Sequence, residues 1–194
     1  AKPDRATLEK APHHLIDIRD PADAYSAADF LKDATRVMAE ITARGNIPLL
    51  VGGTMLYFKV LLEGMSKMPE ANAEIRDQIQ QQADSEGWPA VYKQLQKVDP
   101  GTAAELHPNH SQRIQRALEV YLLTGVPMST LRKEENIGGI ADLYAIKQLA
   151  LMPVNRKLIH QRIEDRFKRM MAQDFEAEVQ ALYQRGDLHA ELPA

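Results

Sequence analysis

Cysteine is absent from all 194 residues. Disulfides, thiolate metal sites and a cysteine nucleophile are therefore excluded, and the absence agrees with a reducing, cytoplasmic setting. No apolar run approaches the ~20 residues that a membrane-spanning helix needs. The opening Ala1-Lys2-Pro3-Asp4 has no apolar segment of the kind a secretory signal carries. It also has no initiator Met, so the chain is expected to begin inside a longer protein. An excess of positive charge is missing too. The net charge is −3, whereas small nucleic-acid-binding domains are ordinarily basic. Any RNA binding must rest on a local patch.

Several catalytic signatures are also lacking. No Gly-Lys-Thr or Gly-Lys-Ser occurs, so there is no P-loop within the chain. No Gly-x-Ser-x-Gly elbow marks a serine hydrolase. The six histidines form no His-x-x-x-His pair, and His13-His14 would face opposite sides of a strand. A protein-bound zinc site has no anchor, and no metal-ligating residues are assigned. There is no internal repeat and no low-complexity tract.

What is present is ordinary for a globular chain, with 44% hydrophobic and 26% charged residues. Residues His13 to Ile18 read as a short strand. Ser26, with Asp29 three residues on, marks a helix start close to a capping box, and Gly45 ends that helix. The apolar run Ile47 to Val51 suits a strand covered on both faces of a parallel sheet. Gly52-Gly53-Thr54 follows, then a helix over Met55 to Leu62. This βαβα rhythm predicts an α/β fold. From Asn72 to Thr124 only helices are expected: one capped by Asn72 and ending near Gly87, one over Trp88 to Val98, a short one from Asp99-Pro100, and one from Ser111 to Gly125. A further short helix is expected over Met128 to Glu134, then a loop over 135–142. A strand over Tyr144 to Met152, a long helix capped by Asn155, and a helix over Phe175 to Tyr183 complete the pattern. The expected organisation is an α/β core in two parts, 1–63 and 144–194, around an all-helical insertion at 64–143.

Three polar clusters could carry chemistry. Gly52-Gly53-Thr54 lets a ligand or backbone approach closely, and amides at the following helix start suit an anion. The same residues would equally serve as a plain turn and cap. Gln112, Arg113, Gln115 and Arg116 lie near one helix face, with His107 and Asn109 just before them. They are planar donors suited to phosphates and base edges, or else a solvated face. Arg162, Arg166 and Arg169, spaced four and three apart, form a guanidinium stripe able to hold a diphosphate or an RNA backbone. Surface ion pairing is the other reading. Trp88 is read as core or interhelical.

A resemblance takes the reading further. His13-His14-Leu15-Ile16-Asp17, Tyr25-Ser26-Ala27-Ala28-Asp29-Phe30 and Ile47-Pro48-Leu49-Leu50-Val51-Gly52-Gly53-Thr54-Met55-Leu56-Tyr57 resemble the bacterial tRNA dimethylallyltransferases. So do Asp99-Pro100, His107-Pro108-Asn109, Gln112-Arg113-Ile114-Gln115-Arg116-Ala117-Leu118-Glu119-Val120 and His160 to Arg166. The resemblance runs in order along the whole chain.

It implies a P-loop-kinase-like parallel-sheet core whose helical insertion grips the anticodon arm. It also implies transfer of a dimethylallyl group from dimethylallyl diphosphate to the exocyclic amine of the adenine 3′ of the anticodon. Mg²⁺ is the implied cofactor, tRNA and dimethylallyl diphosphate are the implied ligands, and a monomer without membrane association is expected. By match to the family motifs, Arg166 contacts the diphosphate or stabilises the transition state. Gly52, Gly53 and Arg162 support the diphosphate, Thr54 and Arg76 touch tRNA near the reacting nucleotide, and Gln112, Arg113, Ile114, Gln115 and Arg116 hold tRNA.

The family's P-loop and its Val-Asp-Ser general-base segment lie upstream of such a stretch, and an Arg-Cys-Val-Gly-Tyr-Arg-Gln segment lies downstream. Neither occurs here, so the 194-residue chain by itself is expected to be inactive. A P-loop small-molecule kinase and a non-catalytic RNA-binding module are the alternatives. Phosphate transfer from ATP would mark the first, and binding without chemistry the second.

Overall fold

The computed structural model describes residues 5–134, 138–153 and 155–188. Within them the chain forms ten helices: α1 (Arg5–Lys10), α2 (Ala27–Ala43), α3 (Met55–Glu63), α4 (Ala73–Glu86), α5 (Trp88–Val98), α6 (Pro100–Ala104), α7 (Ser111–Thr124), α8 (Met128–Leu131), α9 (Arg156–Ala172) and α10 (Phe175–Gln184). The chain divides into two compact units. One is Ala1–Phe58 with Ala141–Ala194, and the other is Lys59–Ile140.

Local chemistry sets most helix ends. At α2 a full capping box forms: the Asp29 N–H donates to Ser26 Oγ, and the Ser26 N–H donates to the Asp29 carboxylate. These bonds satisfy amides that the first turn leaves without partners. Asn72 caps α4 by accepting from the Ile75 N–H at 3.0 Å, and Asn155 caps α9 by accepting from the Lys157 N–H at 2.9 Å. Gly125 closes α7 in the left-handed region at φ 70°, where a side chain would be strained. Helix α1 has no counterpart in the sequence reading. Helix α8 stops at Leu131, short of Glu134, and residues 135–137 of the expected loop lie outside the described residues.

The three expected strands are not formed among the described residues, where the sole β feature is a lone bridge position at Met65. His13 to Ile18 is irregular because Leu15 and Asp17 hold φ values of 59° and 53°, which break an extended pleat. Ile47 to Val51 and Tyr144 to Met152 are irregular for a different reason. A buried-strand pattern becomes a strand only when neighbouring strands take its N–H and C=O groups and other elements cover its faces. Here Ile47, Leu49 and Val51 are 92, 82 and 86% exposed, and Leu151 is 96% exposed. The sheet of the α/β expectation is thus absent from the described residues.

In the first unit, α2 buries Ala34, Val37 and Met38. Phe30 of α2 stacks on Tyr57 of α3 at 4.3 Å, and Tyr25 meets Tyr57 edge-on at 6.4 Å. Helices α9 and α10 pack on each other yet bury no residue fully. Arg185 after α10 binds both oxygens of Asp20, at 3.0 and 2.7 Å, through two guanidinium nitrogens.

The second unit holds the larger core. Helices α4, α5 and α7 pack mutually, with α6 and α8 closing one another and α5 or α7. Ile79, Val91, Leu95, Ala103, Ile114, Ala117, Leu118, Val120 and Met128 are buried there, with Trp88 packed partly buried against them. Two buried polar side chains organise this core. Asp99, fully buried, accepts from the Thr102 N–H (3.0 Å), the Thr102 hydroxyl (2.7 Å) and the Ser129 N–H (3.0 Å). One carboxylate therefore caps α6 and ties it to α8. The other is Glu119 of α7. At the edge of the unit, Ile140 donates its N–H to the Leu61 carbonyl at 2.9 Å. A Cβ on neighbouring Gly139 would meet the Leu62 carbonyl oxygen at 2.8 Å, so only glycine fits there.

Candidate functional site

Helix α7 carries two interleaved residue sets. Ile114, Ala117, Leu118 and Val120 point into the core, while Gln112 and Arg113 are exposed and Gln115 and Arg116 half-buried. Glu119 falls between the core residues Leu118 and Val120 and is itself fully buried. An isolated carboxylate at such a position would be costly, and four donors surround it. The Asn72 N–H (2.7 Å) and Arg76 Nε (2.9 Å) donate to Oε1. Arg76 Nη2 (3.2 Å) and Arg116 Nη1 (2.8 Å) donate to Oε2. Burial pushes the Glu119 carboxyl up, but bonds from Arg76, Arg116 and the Asn72 amide outweigh it and hold the group below the usual 4.5.

The network extends outward. Arg116 Nη2 donates to the Pro69 carbonyl at 2.7 Å, and Gln115 Nε2 donates to the Arg76 carbonyl at 3.1 Å. Arg76, 43 residues distant in sequence from Glu119, is therefore held by α7 at both its main chain and its side chain. Arg76, Gln115 and Arg116 come together in one cluster, while Arg113 has no side-chain partner among the described residues and is exposed. Ile114, expected to hold tRNA, is fully buried. Its side chain packs the core and presents nothing to a ligand in this arrangement. The turn before α7 uses His107 and His110: the Asn109 N–H donates to His107 Nδ1 and the His107 N–H to His110 Nδ1, both at 3.2 Å.

Glu119 and the Pro69 carbonyl are the participants that sequence reasoning passed over. The available signal was a carboxylate in the apolar phase of α7, which requires hydrogen-bond donors or a cation brought to it from elsewhere in the chain.

The remaining candidates belong to the first unit. Gly52, Gly53 and Thr54 are exposed and run straight into α3. The Thr54 carbonyl accepts from the Tyr57 and Phe58 N–H groups at 3.0 and 3.3 Å, and its hydroxyl has no partner among the described residues. Neither glycine has a positive φ. A Cβ on Gly52 would sit 3.7 Å from the Phe58 ring, and one on Gly53 would meet nothing within 4 Å. On α9, Arg162, Arg166 and Arg169 are all exposed. Arg169 Nε donates to the Asp165 carbonyl at 3.3 Å, and Lys168 pairs with Glu164 at 2.6 Å. Arg162 and Arg166 have no side-chain partner among the described residues. Glu164 thus engages Lys168 and leaves the stripe unneutralised.

A groove of about 230 Å³ between α4, α5 and α7 is lined by Gln78, Gln82, Gln94, Tyr121 and apolar residues. It has no charged side chain to receive a phosphate. Among the described residues no group of three His, Cys, Asp or Glu side chains could hold a metal ion, and no helix is long and apolar enough to cross a membrane.

Arg113 in one unit and Arg162 and Arg166 in the other are exposed guanidiniums without an acidic partner among the described residues, a chemistry able to pair with an anion. The full chain, residues 1–194, matches the family model described as IPP transferase, and the protein belongs to that family. It is similar to the full-length tRNA isopentenylpyrophosphate transferase from Bacillus halodurans, at 32% identity over 98% of this chain and 57% of that one, with a TM-score of 0.50. It is also similar to the tRNA delta(2)-isopentenylpyrophosphate transferase from Staphylococcus epidermidis, at 27% identity over 97% and 60%, TM-score 0.50. A eukaryotic dimethylallyltransferase acting on tRNA matches at 27% identity over 95% of this chain and 45% of its own, with a TM-score of 0.72. The chain thus spans about half to three fifths of the length of these relatives.

Proposed function

We propose that the full-length protein transfers a dimethylallyl group from dimethylallyl diphosphate to the exocyclic amine of the adenine 3′ of the anticodon in tRNA, releasing diphosphate. The observation that carries this reading is the match to the IPP transferase family along the entire chain. In the step, the C–O bond to diphosphate breaks, a C–N bond forms, and the nitrogen sheds a proton to a base. Negative charge grows on the leaving diphosphate, so preorganised cations and hydrogen-bond donors lower the barrier.

Arg166, exposed and unpaired on α9, is the residue for that role, with Arg162 one turn before it. Gly52 and Gly53 leave room for a ligand against the backbone, and the unpartnered Thr54 hydroxyl can turn toward RNA. The helical unit around α4 and α7 would hold the anticodon arm through Arg76, Gln112, Arg113, Gln115 and Arg116. The runs Ile47 to Val51 and Tyr144 to Met152 would pair within a P-loop-kinase-like sheet, which accounts for apolar residues that stand exposed here. In domain terms, residues 1–63 and 144–194 would form the catalytic core and residues 64–143 the insertion.

Mg²⁺ is a hard cation that prefers oxygen ligands. The described residues offer no carboxylate cluster for it, so it would be held mainly by the diphosphate it accompanies.

The test incubates the full-length protein with tRNA, Mg²⁺ and dimethylallyl diphosphate, then digests the RNA and weighs the nucleosides. An adenosine heavier by one dimethylallyl group is expected, with Arg166→Ala slowing transfer by about 10²–10³-fold, as loss of one transition-state donor does. Unmodified tRNA from a well-folded protein would overturn the reading.

A further inference from the structure

We infer that Glu119 is a positioning residue for RNA: its buried carboxylate fixes Arg76 and Arg116 so that their remaining N–H groups face a phosphate. This rests on the reading of the helical unit as the part that grips tRNA. Glu119 accepts from two guanidiniums at once, and one carboxylate between two of them leaves the cluster with a surplus positive charge beside solvent. Both arginine side chains remain partly exposed, 43% for Arg76 and 31% for Arg116, while the carboxylate between them is 0% exposed.

The bonding pattern fixes which edges remain available. Arg76 spends Nε and Nη2 on Glu119 and leaves Nη1 unbonded. Arg116 spends one Nη1 hydrogen on Glu119 and one Nη2 hydrogen on Pro69, leaving Nε–H and the second hydrogen of each. A long, flexible arginine ordinarily loses side-chain entropy when it clasps a phosphate. Here that ordering is done before RNA arrives, from two sides: Glu119 holds the Arg76 guanidinium and Gln115 its carbonyl.

Removing a negative charge near a phosphate site should by charge alone tighten RNA binding. If Glu119 positions the arginines, removing its charge weakens binding instead. The full-length protein and its Glu119→Gln and Glu119→Asp variants are compared for affinity to an anticodon stem-loop RNA across a salt series, with circular dichroism confirming the fold. The Asp variant keeps the charge and falls one methylene short, so it reports even if the Gln variant misfolds. Both variants should bind about tenfold more weakly, the loss of one charge-assisted hydrogen bond. The slope of log K against log salt should flatten by about one for each misaimed phosphate contact. In turnover, KM for tRNA should rise while KM for dimethylallyl diphosphate and kcat hold.

Arg113→Ala, which removes an exposed arginine that Glu119 does not touch, separates the two possible failures. If the unaltered protein binds no RNA, both the tRNA reading and the inference fall. If it binds, Arg113→Ala weakens it, and folded Glu119 variants bind as well as or better than the unaltered protein, the tRNA reading stands and the positioning role falls.

Discussion

Replacing Asp99 by alanine should destabilise the helical unit by about 3 kcal/mol. The carboxylate is fully buried and accepts three hydrogen bonds, two from Thr102 and one from Ser129. Loss of the cap on α6 costs about 1 kcal/mol. The Thr102 hydroxyl, 1% exposed, and the Ser129 amide then lack partners, at roughly 1–3 kcal/mol each. Against this, the variant no longer desolvates a charge, which returns part of the cost. Asp99→Asn should cost about half as much. Its amide oxygen still accepts from the Thr102 N–H, but its NH₂ can serve the hydroxyl only by confronting the Ser129 N–H. Urea unfolding followed by circular dichroism measures this: with a slope near 1.5 kcal/mol per molar, the alanine midpoint should fall by about 2 M. Thr102→Val should then add almost nothing in the Asp99→Ala background, since its hydroxyl is already orphaned. An alanine midpoint within ~0.5 M of the unaltered protein, or strictly additive double-variant losses, would refute the argument.

Other outcomes follow from the same chemistry. Glu119 and Asp99 both hold their protons less tightly when folded, so the unfolded chain takes up more protons and stability falls with acid. That contribution is complete above the ordinary values of 4.5 and 3.8 and drains away as pH drops through the lower folded ones. An acid-unfolding curve should steepen there, and Asp99→Asn should flatten it. Burial, joined by the hydrogen bond to Asp33, pushes the Tyr25 phenol up to about 12. Absorbance titration should therefore show a late-ionising phenol that Tyr25→Phe removes. Gly139→Ala should cost about 1–3 kcal/mol, because the new methyl meets backbone that cannot yield. Gly53→Ala, whose methyl meets nothing, should leave stability unchanged or up to about 1 kcal/mol higher. Any loss of prenyl transfer in that variant would come from the ligand's side of the space, as differential scanning calorimetry beside a turnover assay would show.

The helices were legible because their stop and start signals are local. Ser26 with Asp29, Asn72, Asp99-Pro100, Gly125 and Asn155 act within one turn of where they stand, and each sits at a helix end as read. The strands failed where the signal was conditional or local geometry opposed it. Ile47 to Val51 declares that something should cover it without naming what. His13 to Ile18 looks extended until Leu15 and Asp17 adopt left-handed backbone, an outcome that leucine does not announce and aspartate only permits. At the candidate site, Arg113 and Arg116 could be seen because they are helix neighbours. The partnership of Arg76 with Glu119 could not, since it joins α4 to α7 across 43 residues of intervening chain. Its one trace was a glutamate placed where leucine or valine would be expected.

Helix α7 has a consequence for how this stretch can vary. Its core residues and its charged cluster share one short segment, interleaved at fixed angular offsets of about 100° per residue. Substitutions can be absorbed singly, by exchanging one aliphatic for another or one donor for another. An inserted or deleted residue rotates everything beyond it by that same angle, turning Glu119 out of its nest of donors and a neighbouring aliphatic toward Arg76. Between Ser111 and Thr124 the segment should thus tolerate changes of letter far better than changes of length, and a library mixing both would separate them cleanly.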